Sequence, residues 1–116
     1  VAVDVPPERF EALVVDALDA IPEELAQLMD NVAVVIDDQS MGRGLLGRYE
    51  GTPLTERGFT YGDFALPDRI TVFRHAICAM CESEAEVTHQ VMVTVIHEVA
   101  HHFGIDDDRL NELGWG

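Results

Sequence analysis

The stretch Thr94–Asp107, TVIHEVAHHFGIDD, decides how the rest of the chain is read. Within it His97, Glu98 and His101 form H-E-x-x-H. Residues four apart stack on one face of a helix, so a helical segment lets His97 and His101 offer two imidazole nitrogens to one cation. That is two ligands of a zinc site. Glu98 lies about 100° round the helix from His97, beside the open position of such an ion, where a carboxylate serves as general base toward water. A catalytic zinc takes three protein ligands and keeps a fourth position open. Gly104 suits the left-handed residue that ends a helix and lets the chain turn back. Asp107 then stands in position as third ligand, giving H-E-x-x-H-x-x-G-x-x-D, with Asp106 and Asp108 as its rivals.

Working outward, Val87, Val91, Val95 and Val99 keep one helical stripe, and Met92, Ile96, Ala100 and Phe103 widen it. The pattern predicts a helix from about Ala85 to Phe103, apolar on most sides and therefore central. Upstream, Val32–Ile36 reads as a buried strand. Leu45–Glu50 reads as a second strand stopped by Gly51, Thr52 and Pro53, and Arg69–Arg74 as a third, with Ile70 and Val72 on one face and Thr71 and Phe73 on the other. A first helix carries Phe10, Leu13, Val14, Ala17, Leu18 and Ile21 at helical spacing, and a short second helix covers Glu23–Asp30. Asp37–Gly44 is a loop by its composition. Thr55–Pro67 is expected to be an ordered loop pinned by Phe59, Tyr61 and Phe64, flanking the active site. Arg109–Leu113 forms a final turn, with Trp115 over the core. The fold expected is α+β: residues 1–116 as one domain, about three strands in a mixed sheet and about four helices.

The 116 residues carry 22 acidic side chains against 7 arginines, for a net charge of -15. Nucleic-acid affinity comes largely from basic side chains that displace counterions from phosphates, so nucleic acid is excluded as a partner. The same charge favours cations and basic partners. No apolar run approaches the roughly 20 residues of a membrane span. VAVDVPPERF has no basic stretch followed by an apolar core, and two cysteines make no disulfide framework. A cytoplasmic location is expected.

Three blocks together, LLGRYEGTPLTERG, PDRITVFR and the His97–Asp107 motif, resemble a family of small bacterial zincin-like proteins, the minimal metalloproteases. The glycine turn is similar to that of metzincins, with Asp where most of them carry a third His. The resemblance implies a zincin-like core and one bound Zn2+. It implies hydrolysis of a peptide or protein substrate, and an edge strand, Arg69, Ile70, Thr71, Val72, Phe73 and Arg74, along which extended substrate lies. Nine residues follow Asp107, so a methionine turn and a C-terminal subdomain are not expected. A partner or second copy would complete the cleft. Tyr49 and Tyr61 are the candidates for steadying an oxyanion. The competing reading is a non-catalytic zinc-binding or protein-interaction module on the same core. RNA-maturation metalloproteins share the ligand spacing but lack the equivalent of Glu98.

Outside the motif, Cys78 and Cys81 form C-x-x-C with His75 at the same spacing. A second metal site would need a fourth ligand and a redox pair a βαβ context, so these read as small buried side chains. His102 is expected beside the site or at the surface, and His89 in solvent.

Overall fold

Pro7 opens helix α1 (Pro7–Asp19), where its missing N–H costs nothing, and Phe10, Leu13, Val14 and Ala17 form the buried stripe. After Pro22 the chain restarts as α2 (Glu23–Ala26), which tightens into a 3-10 turn over Gln27–Met29. Three strands follow: β1 (Val32–Asp37), β2 (Gly47–Glu50) and β3 (Asp68–Phe73). Helices α3 (Arg74–Ala79), α4 (Glu84–His102) and α5 (Asp107–Glu112) complete the described elements. The computed structural model describes residues 2–38, 45–51 and 68–112, and of Asp107 the backbone. The expected loop Thr55–Pro67, most of Asp37–Gly44 and Trp115 lie outside the described residues.

The sheet is mixed, in the order β1-β3-β2. β1 runs parallel to β3, Val32 opposite Asp68 through Asp37 opposite Phe73. β2 runs antiparallel to β3, Gly47 opposite Val72 and Tyr49 opposite Ile70. The expectation that Arg69, Ile70, Thr71, Val72, Phe73 and Arg74 form an edge strand is thereby corrected. β3 is central, with β1 on one side and β2 on the other, so its backbone is paired where a substrate strand would have to bind. Arg74 is already the first residue of α3. The physical reason lies in burial: Ile70, Thr71, Val72 and Phe73 are all inside, as suits a strand covered on both faces.

Helix α4 starts at Ser83, whose hydroxyl accepts from the N–H of Glu86, while the Glu86 carboxylate accepts from the N–H of Glu82. These bonds satisfy two amides near the helix start, a variant of the capping box. Val87, Val91, Val95 and Val99 then pack into one core with Phe10, Leu13 and Val14 of α1 and Ile70 and Val72 of β3. The segment HAICAMC supplies a fifth helix, α3, beyond the four expected. Its first residue, Arg74, is a buried tie: the guanidinium donates to Asp38 and to the carbonyl of Val5, both at 2.7 Å.

Candidate metal centre and active site

Helical spacing brings His97 and His101 to one side of α4, their ring centroids 5.9 Å apart and their planes at 74°. Two imidazoles sharing one tetrahedral ion at about 2.0–2.1 Å from each nitrogen bring their centroids to roughly 5–6 Å. The separation of the two rings is of that order. Both rings line a groove of about 300 Å³, and Glu98 lines it with them. Its opposite wall is the approach to β2: Leu45 and Leu46, which precede the strand, and Gly47, its first residue.

Glu98 is held in place from across the groove. Its Oε1 accepts a hydrogen bond of 3.1 Å from the backbone N–H of Tyr49. β2 reaches the helix this closely because residue 47 is glycine. A Cβ there would lie 2.6 Å from Cγ2 of Thr94 and 3.1 Å from the carbonyl oxygen of Thr71, distances at which atoms overlap. An isolated glycine in a strand is the signal of such a close backbone approach.

Tyr49 makes two further contacts. Its hydroxyl donates to Asp68 at 2.6 Å, and its ring stacks on His102 with centroids 3.8 Å apart and planes at 17°. The hydroxyl suggested for an oxyanion is thus engaged with Asp68, and Tyr61 lies outside the described residues. His102 stands 3.8 Å from the same Asp68 carboxylate. Sequence reasoning put His102 beside the site or at the surface, and quoted Asp68 only within PDRITVFR without giving it a role, because its partners Tyr49 and His102 stand in other elements.

Past the helix, Gly104 adopts φ +78°. The N–H of Gly104 bonds the carbonyl of His101, and that of Ile105 bonds the carbonyl of Ala100, a Schellman closure. The chain turns directly after the second histidine. Asp106 is occupied: its Oδ1 accepts from the N–H of Arg109 at 2.9 Å and caps α5. Asp107 begins α5, its side chain outside the described atoms, and Asp108 is exposed. Among the described residues, no group of three His, Cys, Asp or Glu side chains gathers as a metal cluster.

A family model described as zincin-like metallopeptidase matches residues 29–115. The chain belongs to the zincin-like metallopeptidase family. Residues 29–115 take in the whole sheet, α3, α4 and α5, so the helix with the two histidines and the strand that anchors Glu98 both lie within the zincin-like region. Membership implies a metal, zinc by the family's character, and a peptide as the class of substrate. No curated protein matches the chain.

The cysteines of this zincin-like chain stand apart from the groove. Cys78 and Cys81 are free thiols, 6% and 3% exposed. Burial pushes both above the ordinary thiol range, and the charges of Glu86 and Cys78 add to the effect at Cys81. A reactive or metal-binding cysteine needs its thiolate favoured; these are held in the opposite sense. Among the described residues, no helix is long and apolar enough to cross a membrane.

Proposed function

We propose that the chain is a zinc-dependent peptidase in which His97, His101 and Asp107 hold the ion and Glu98 is the general base. The observation that carries this reading is the placement of Glu98 in one groove with both histidines, its Oε1 bonded to Tyr49. When bound, zinc supplies polarisation of a carbonyl and hydroxide near neutral pH. Glu98 takes the proton of the attacking water onto a carboxylate oxygen and gives it to the departing amine nitrogen as the C–N bond breaks. The backbone of Tyr49 fixes where that carboxylate stands, so little reorganisation is needed at the moment of transfer.

With β3 enclosed, the strand bordering the groove is β2. Extended substrate lies beside its entry, Leu45 to Gly47, with the scissile bond over His97 and Glu98. Asp106 serves α5 as its cap, which favours Asp107 as the third ligand.

The test is Glu98→Gln in the zinc-loaded protein, measured by calorimetric zinc titration and by peptide-library cleavage. Retained zinc with cleavage reduced by at least about 100-fold is expected, in line with the 10²–10⁴-fold that general acid–base catalysis contributes. Zinc binding with no cleavage by either form would favour the non-catalytic module instead.

A further inference from the structure

The run Val32–Ile36 is apolar throughout and β-branched except at Ala33, the composition of a strand enclosed by neighbours. In the sheet it stands at the end of the order β1-β3-β2, and among the described residues no strand lies on its other side. None of the five residues is fully buried, and Val35 is 38% exposed. Edge strands are ordinarily blunted by a charge, a proline or a bulge; Val32 to Ile36 contain neither charge nor proline. One bond fixes which backbone groups face outward. The N–H of Asp68 bonds the carbonyl of Asn31 at 3.1 Å, and in a parallel ladder alternate residues face the same neighbour. Asn31, Ala33 and Val35 therefore turn to β3, and Val32, Val34 and Ile36 turn their N–H and C=O groups to the open edge. Exposed acidic residues stand at both ends of the run, Asp30 before it and Asp37 and Asp38 after it, Asp38 being paired with Arg74.

We propose that the outer edge of β1 is a docking surface for an extended segment of another protein, which joins the sheet antiparallel to β1, with apolar residues facing Val32, Val34 and Ile36 and Lys or Arg at either end. Main-chain bonds to the outward groups supply affinity, and the side chains supply selection. The apolar residues extend the cover over Val32, Val34 and Ile36, which are only partly buried against the core. The basic ends meet Asp30 and Asp37, on a chain whose net charge of -15 draws basic partners. A second copy is the poorer occupant. Self-pairing centred on Val34 sets Val32 against Ile36 and carries Asp37 and Asp38 of each copy toward Asn31 and Asp30 of the other, where like charges oppose pairing. Arg69, in register with Ala33, lies one strand in and is bonded to Glu50 at 2.8 Å, so it does not offset the acidic ends. The candidate groove is walled by the approach to β2, on the far side of β3, and the docking surface does not depend on the peptidase reading.

The probe is the peptide acetyl-Lys-Arg-Val-Thr-Val-Thr-Ile-Arg-Lys-amide, compared with the same peptide carrying Glu in place of every Lys and Arg. Each is added to the full chain, and amide hydrogen exchange is followed residue by residue by NMR. At ten times its dissociation constant the basic peptide should slow exchange about tenfold at Val32, Val34 and Ile36, and leave Ala33 and Val35, which already face β3, little changed. The Glu form should bind at least about tenfold more weakly, since every cross-strand charge pair is then reversed. Val34→Pro removes an outward N–H and no bond to β3, a substitution that edge strands tolerate; it should abolish the protection, with circular dichroism checking the fold. Asp30→Lys combined with Asp37→Lys should move the preference to the Glu form, a test that stands even if the proline variant unfolds. Equal protection along all of β1, equal binding of the two peptides, or no protection at millimolar basic peptide would overturn the proposal. Protection of the outward amides on raising the protein concentration alone, with a dimer in sedimentation, would overturn it too and assign the edge to a second copy.

Discussion

Tyr49 bears on the site through three different atoms or groups: its N–H holds Glu98, its hydroxyl reaches Asp68 and its ring covers His102. Tyr49→Phe keeps the N–H and the stacking and deletes only the hydroxyl. The Asp68 carboxylate, 12% exposed, then loses that donor. A hydrogen bond to a charged group contributes about 1.5–3 kcal/mol, and urea denaturation should show a loss of that order, with zinc binding intact. Gly104→Ala isolates a different cost. Nothing lies within 4 Å of a Cβ built there, so the penalty is the left-handed backbone alone, about 1–2 kcal/mol. That substitution should lower the thermal midpoint without altering packing. Gly104 was legible in the sequence because a helix that must end has few residues to end on. The role of Tyr49 was not, since its partners stand 19 and 49 positions away and no periodicity links them.

Helix α4 was readable as an element because a valine recurs every fourth residue and Ser83 precedes the run. The pairing of the strands was not readable in the same way. Arg69 and Arg74 suggest the charged ends of an edge strand, yet Arg74 is turned inward to Asp38 and Val5. The alternation within β3 concealed that both its faces are covered. Two changes test how the elements are joined. Gly47→Ala should push β2 off α4, at the 1–3 kcal/mol or so of an overpacked core, and lengthen the Tyr49–Glu98 bond. Adding Thr94→Ser removes the methyl carbon that lies 2.6 Å from the new Cβ. A double-mutant cycle should then show favourable coupling, and simple additivity would place the strain elsewhere. Arg74→Ala deletes the donor to the buried Val5 carbonyl, a loss of about 1.5–3 kcal/mol. The Arg74 hydrogen bond also holds the Asp38 carboxyl below its ordinary range. A depressed carboxyl contributes stability that is complete above its unfolded value, about 3.9, and is lost as pH falls through the folded value. Asp38→Asn should therefore flatten the stability profile in that acid window and leave neutral pH little changed in slope.

Across the whole molecule, a charge of -15 on 116 residues sets long-range repulsion against the packing of α1, α4 and the sheet. Self-repulsion destabilises a compact state, and salt screens it over a Debye length of about 10 Å at 0.1 M. Metal-stripped protein should accordingly gain stability as salt rises. Zinc acts locally and at long range together. An ion that binds only the folded chain adds about 2.7 kcal/mol at a hundred times its dissociation constant, and the acidic field draws a divalent cation in. On the proposed ligation, the field's share should weaken with salt, whereas the share owed to the imidazoles of His97 and His101 should persist. Urea denaturation at low and high salt, with and without zinc at one fixed concentration, separates the two. The zinc increment should shrink as salt rises but survive, and a His97→Ala, His101→Ala double variant should lose the surviving part. An increment that disappears at high salt in the unaltered chain would assign the ion to the diffuse acidic surface, and the two histidines would cease to be its ligands.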